Sequence, residues 1–291
     1  HTRFKCDWSS DVCSPICKKE RWNGQGLRIG AHYLIVDYHI HTQFSSDGKG
    51  SMNDYIQKAT NKHLDEIGFS DHIDGERLAE NPVSFAKMMS RYVQNFLLFK
   101  KQSRVHIKLG SEVDYFPDQL KRIQEILKQY PFDYVIGSVH FIENWGIDSP
   151  NQRDEHARRD PLESYEKYFR LLREMCATHL FDIVGHPDLI KIFGLKPYND
   201  VSKIYEKTAR AIADSQMCVE INAKGLVRPC KEIYPNLQFL KILHDNSVPI
   251  TFGSDAHSPE DIGLNLNEAS KWARSAGFKE ACTFEGRKKT F

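Results

Sequence analysis

Along the chain, hydrophobic positions gather into seven short runs, each ending in a polar cluster and followed by an amphipathic stretch. The runs are YLIVDYHIH from Tyr33, DEIGFSDH from Asp65, VHIKLGSEVDYF from Val105, FDYVIGSVHF from Phe132, FDIVGHPD from Phe181, CVEINAKG from Cys218 and VPITFGSDAH from Val248. Most are continuous rather than alternating, the pattern of strands buried on both faces. Between them, apolar residues recur at helical spacing in SFAKMMSRYVQNFLLFKKQ, DQLKRIQEILKQ, LESYEKYFRLLREMC and VSKIYEKTARAIADS. Ser51 and Asp54 form a capping-box pair ahead of YIQKATNKH. Ser258-Pro259-Glu260-Asp261 predicts another helix start, with a cap, a proline in the first turn and acids at the positive end of the dipole. Strands alternating with helices imply βα units on a parallel sheet. Seven units without a break in composition predict one α/β barrel. The longest interruption, ENWGIDSPNQRDEHARRDP at 143–161, follows the fourth strand on the side of the polar clusters. A loop of that length in a compact domain is usually functional or disordered.

The polar clusters carry the chemistry. In VDYHIHTQFSSDGKG, residues 36–50, Asp37, His39 and His41 are two apart. Alternate strand side chains share a face, so the three project together. Either this is a polar strand edge or it is half of a metal site. The other strand ends carry Asp71 and His72, Glu112, His140, His186, Asn222, and Asp255 and His257. In a barrel of parallel strands the active site forms at those C-terminal ends. Imidazole and carboxylate donors together suit zinc, iron or manganese. Their number exceeds the three or four donors of a single catalytic zinc, which predicts two or three divalent ions bridged by carboxylates. Of the 13 histidines, His63, His106, His156, His179 and His244 read as structural.

Composition narrows the classes. In 291 residues, 40 basic side chains face 39 acidic ones, so no basic field exists to hold long nucleic acid. No apolar run is long enough to span a membrane. The seven cysteines follow neither zinc-finger nor disulfide-scaffold spacing, and Cys176, Cys218, Cys230 and Cys282 fit a reduced, cytoplasmic protein. No obligate protein partner is evident. Residues 1–33 do not share the periodic pattern and are expected to be a non-native or disordered leader, with the barrel at 34–291. The codons TGT GAC TGG AGT TCA GAC GTG TGC TCT translate as Cys6 to Ser14 and resemble a common sequencing-library adapter. With one T dropped, the following TTCCGATC gives Pro15-Ile16. The native start is then expected just before Ile35.

The motifs DYHIHT, GFSDH, GSEVDYF, IGSVHFIENWGID, GHPDLIK, EINAKGL with EIYP following, and TFGSDAHSPEDIG resemble the polymerase and histidinol phosphatase (PHP) superfamily. The fourth and sixth resemble its histidinol-phosphatase branch. The resemblance runs from about Ile35 onward and implies a distorted (β/α)7 barrel with its metal site at the C-terminal strand ends. It places the ligands on His39, His41, His72, Glu112, His140, His186, Asp255 and His257. Where many relatives carry a further histidine this chain has Asp47, itself a usable ligand. Asp37 and Asp71 are expected behind the ligands, with Asp37 orienting a histidine through its free ring nitrogen.

The implied activity is metal-dependent hydrolysis of L-histidinol phosphate to L-histidinol and phosphate, late in histidine biosynthesis. A phosphate monoester is dianionic and repels hydroxide; metals offset that charge and activate water. Glu112 is the expected bridging carboxylate, and Asp255 or His257 the proton source for the leaving group. Arg158, Arg159 and Arg228 are candidates for binding phosphate, and Tyr115 and Asn222 for lining the pocket. Two rival readings are a PHP phosphoesterase acting on nucleotides or other small esters, and a non-catalytic metal-stabilised module. An in-frame genomic copy of residues 1–30 at the source locus, read by sequencing, would overturn the adapter origin of the leader.

Overall fold

The computed structural model describes residues 27–29 and 32–291; most of the expected leader therefore lies outside the described residues. Seven parallel strands occupy the seven apolar runs: β1 Val36–Asp37, β2 Glu66–Phe69, β3 His106–Leu109, β4 Ile136–Ser138, β5 Ile183–Val184, β6 Cys218–Asn222 and β7 Ile250–Gly253. β2 and β3 each break and resume, as His72–Ile73 and Glu112–Asp114. The ladders run β1-β2-β3 and, through the resumed segments, on to β4, β5, β6 and β7. Tyr38 N then donates to Phe252 O at 3.0 Å and His41 N to Ala256 O at 2.8 Å, so hydrogen bonds join the first strand to the seventh. The interruptions in β2 and β3 are what distort the barrel.

A helix follows each strand: α1 Met52–Asn61, α2 Pro82–Lys100, α3 Leu120–Gln129, α4 Pro161–Ala177, α5 Ser202–Ser215, α6 Leu237–Asp245 and α7 Leu266–Ser275. The Ser51–Asp54 capping box is present. α6 escaped the sequence reading because its run, LQFLKILHD, is short; the cap is Asn236, whose side chain accepts from Phe239 N at 2.9 Å. The expected helix from Ser258 ends after one 3-10 turn, Pro259–Asp261. Gly263 N donates to the buried Asp37 at 2.8 Å with φ at +68°. That pull bends the chain away, and α7 starts only at Leu266.

About half of the expected polar loop at 143–161 is regular secondary structure. Phe141–Ile142 and Trp145–Gly146 pair as a hairpin, and Glu155–Arg158 is a short helix. Trp145 and Ile147 are buried, and His156 Nε2 sits 2.7 Å from Ile147 O.

The opposite end of the barrel is covered by a second hairpin, Thr283–Glu285 with Lys288–Thr290. Its buried Phe284 packs against Tyr38 and Tyr134, with ring centroids 6.0 and 6.1 Å away. Arg287 N and Gly286 N donate to Asp133 O and Oδ1 at 2.8 and 3.1 Å, just before β4.

The described part of the expected leader touches the barrel. Leu27 is buried, Arg28 N donates to Lys279 O at 3.1 Å, and Ala281 N donates to Arg28 O at 2.9 Å. Truncation to residue 27 and truncation to residue 34 should therefore differ. The shorter protein should lose about 1.5–3 kcal/mol, the worth of one buried leucine, in urea unfolding followed by circular dichroism. Equal midpoints would mean that this contact adds nothing.

Candidate metal centre

His39 and His41 follow β1 and are fully buried. Opposite them stands Glu112, 1% exposed, where β3 resumes. One of its oxygens, Oε2, faces His39 Nε2 at 3.1 Å, His72 Nδ1 at 3.2 Å and His41 Nε2 at 3.4 Å. The other, Oε1, faces His186 Nε2 at 2.9 Å and His140 Nε2 at 3.6 Å, and accepts from Ser138 Oγ at 2.6 Å. The carboxylate thus stands between two sets of imidazoles. From β7, Asp255 Oδ1 lies 3.7 Å from His41 Nε2 and 3.2 Å from His257 Nδ1. Asp47, half exposed, brings Oδ2 within 3.0 Å of His257 Nε2 and Oδ1 within 3.8 Å of His72 Nε2. All nine residues that the sequence proposed as ligands thus meet in one cluster.

The cluster fits metal ions better than it fits itself. His39 Nε2, His41 Nε2, His72 Nδ1 and His186 Nδ1 are buried without a hydrogen-bond partner. Orphaned buried polar atoms are costly, and a divalent cation would satisfy several at once. Three sets of donors converge closely enough to hold an ion: His41, His72 and His257; His39, His41 and Asp255; His39, Glu112 and His186. Electrostatics agree at Glu112 and His41, while His39, His140 and His257, raised against burial by neighbouring carboxylates, must release a proton for a metal to bind. Burial alone would raise the carboxyl pKa of Glu112, yet His39, His72 and His140 hold it well below the usual range. Burial and the neighbouring rings His72, His257 and His39 push His41 well below an ordinary imidazole, which leaves it neutral and able to donate a lone pair. Burial lowers His257, but Asp255 and Asp47 outweigh it and push its pKa up to about 10. Asp255 has φ +55° and His186 φ +21°, left-handed backbone that aspartate and histidine adopt more readily than most residues.

Two carboxylates that the sequence reading missed set the ring orientations. Glu220, in the middle of β6, lies 2.7 Å from His39 Nδ1 and accepts from His186 N at 2.9 Å. Asp114 lies 2.6 Å from His140 Nδ1. Fixing the far ring nitrogen aims the near one at the centre. Gly253 makes room, since a Cβ there would come within 1.8 Å of Glu220 Oε1 and 2.6 Å of the His39 Cβ. Asp37 does not take the orienting role expected of it. It accepts from Ser254 N and Oγ, at 2.9 and 2.6 Å, and from Gly263 N, and so ties β1 to the loop after β7. Asp71 accepts from Thr42 and Ser45, backbone and hydroxyl both, at 2.7–3.0 Å, and Ser45 Oγ is 3.3 Å from His41 Nδ1.

Above the cluster opens a pocket of about 260 Å³. Arg228 lines it, as does Lys224, which is 8% exposed and lies 3.5 Å from Asp261. Lys224 passed unnoticed because a lone lysine after a strand resembles any surface cation. Arg158 and Arg159 do not line it. Both pair with Glu155, at 3.1 and 3.2 Å; Arg158 stays largely exposed, and Arg159 stacks over Trp145 of the hairpin at 4.5 Å. Tyr115 and Asn222 are buried and do not line the pocket. Asn222 Oδ1 accepts from Lys224 N at 2.9 Å, which sets the start of the Lys224–Arg228 loop. The five histidines read as structural also stay out of the pocket.

Residues 37–224 match the PHP domain. The "probable histidinol-phosphatase" of Deinococcus radiodurans is 30% identical over 258 residues, spanning 87% of this chain and 98% of that protein. The histidinol-phosphatase of Lactococcus lactis is 26% identical, over 87% and 95% of the two chains. A crystal structure of L. lactis histidinol phosphate phosphatase, complexed with zinc, L-histidinol and phosphate, matches with a TM-score of 0.75 at 24% identity, covering 88% of this chain and 99% of that one. At that identity the likeness speaks for the fold. Replacing Glu220 by Gln should weaken metal retention by about 10- to 100-fold while the protein stays folded. Competition with a chromogenic chelator measures this, and unchanged retention would mean that Glu220 is only a core hydrogen-bonding residue.

Proposed function

The chain belongs to the PHP domain family, and from its site we propose a metal-dependent phosphatase that hydrolyses L-histidinol phosphate to L-histidinol and phosphate. The observation that carries the reading is Glu112, one carboxylate whose two oxygens face separate groups of imidazoles. Relatives named histidinol-phosphatase, matched over nearly their whole length, supply the substrate. His39, His41, His72, His140, His186, His257, Glu112, Asp255 and Asp47 would hold two or three ions of zinc, iron or manganese. When bound, such ions offset the charge of the phosphoryl group and activate water.

The chain's own groups do the rest. Arg228 and Lys224 meet the phosphoryl oxygens from the β6 loop, where their positive charge favours the added negative charge of the transition state. Glu112 spans the two groups of imidazoles and keeps them at fixed separation. Asp255 or His257, 3.2 Å apart, holds the proton for the departing alkoxide. The four cysteines among the described residues are free. Among the described residues no helix is long and apolar enough to cross a membrane.

Assay of metal-loaded protein against L-histidinol phosphate, nucleoside monophosphates and p-nitrophenyl phosphate tests the reading. A preference for the nucleotides would replace it with the rival phosphoesterase. Arg228→Ala should lower kcat/KM by about 2–4 kcal/mol of transition-state binding, and Arg228→Lys should recover part of this, since lysine keeps the charge but loses the fork. Metal content, measured by elemental analysis, should be unchanged in both. A wild-type rate in Arg228→Ala would remove Arg228 from the phosphate clamp.

A further inference from the structure

Resting on the histidinol phosphate reading, we infer that Asp148 determines specificity by receiving the substrate's ammonium group, so that the pocket selects phosphate esters of cationic amino alcohols. Asp148 lines the pocket and, among the described residues, makes no hydrogen bond or ion pair through its side chain. Its position is nonetheless fixed. Ile147, the preceding residue, is fully buried, donates its N–H to His140 O at 2.9 Å and has its carbonyl 2.7 Å from His156 Nε2. Two residues earlier, Trp145 is buried beneath the Arg159 guanidinium. Asp148 lies close enough to His140 to raise its pKa, yet among the described residues its carboxylate accepts no hydrogen bond, which leaves its oxygens open to a cation from outside the chain.

The layout of the barrel supports this. The pocket's cations, Lys224 and Arg228, follow β6, whereas Asp148 follows β4 and Asp74 the resumed β2, so the two signs of charge enter the pocket from different strand ends. A substrate with a phosphate at one end and an ammonium at the other can match both walls at once; an uncharged ester matches one. Phe141, from the hairpin that precedes Asp148, also lines the pocket and packs on Phe116 with centroids 5.5 Å apart. It offers an aromatic face to a flat heterocycle on the same side. Asp74 is less available, because its side chain already caps the next helix by accepting from Arg77 N at 2.9 Å.

The test compares L-histidinol phosphate with propyl phosphate, which lacks the ammonium and the ring, in wild-type and Asp148→Asn proteins. Asparagine keeps the shape and removes the charge. The ratio of kcat/KM for the two esters should fall about ten- to a hundredfold in the variant, the range for a lost charge-assisted hydrogen bond, mainly through KM for histidinol phosphate. Inhibition by L-histidinol should weaken in parallel, and Asp148→Glu should restore part of both. An unchanged ratio, whether both esters slow equally or neither does, overturns the inference and leaves the proposed function standing. Wild-type protein inert toward histidinol phosphate but active on other esters overturns the proposed function, and the inference with it.

Discussion

The buried carboxylate of Glu112 is the constraint around which the rest is arranged. A lone ionised group taken out of water costs several kcal/mol even after relaxation, and here it is surrounded by rings that are themselves largely unsatisfied. An apolar core would be more stable than this. The barrel tolerates it because the groups come from separate strand ends, each held by its own ladder, and cannot retreat from one another. The outer carboxylates Glu220 and Asp114 and the hydroxyl of Ser45 then fix individual rings. The site is thus preorganised by backbone and outer groups, and the energy its cations supply on binding also stabilises the fold.

Much of this was legible in the sequence, for a physical reason. Strands buried on both faces must be apolar throughout, so a histidine or acid at the end of such a run stands out. That pattern marks His39, His41, His72, Glu112, His140, His186, Asp255 and His257 together with Asp37, Asp71 and Asn222; the family resemblance separates the eight as ligands, and all eight converge. What escaped notice was chemistry in positions where polarity looked ordinary. Glu220 sits inside an apolar strand, but its neighbour across the barrel, His39, is 181 positions away, and one sequence does not show that pairing. Asp37 was given the role that Glu220 holds, because adjacency along the chain suggested a partner that space does not provide.

The segment 143–161, expected from its length as a polar loop that is functional or disordered, is anchored to the barrel by Trp145, Ile147 and His156. The arginines that looked like phosphate ligands bind the segment's own glutamate and tryptophan instead. A loop made rigid in this way can select substrates; one held only by solvent could not position a carboxylate finely enough.

The link between the first and last strands has a consequence for how the molecule comes into being. Asp37 and Ser254 meet across 217 positions, and His39 and His41 cannot find Asp255 until β7 exists. During synthesis the opening residues of the site must wait, exposed, through most of the chain's emergence. Contacts so distant in sequence close slowly, because the entropy of the loop is spent before the contact rewards it. The metal centre is therefore a late product of folding, and its ligands spend the interval as a histidine-rich ribbon open to whatever cations the nascent chain encounters.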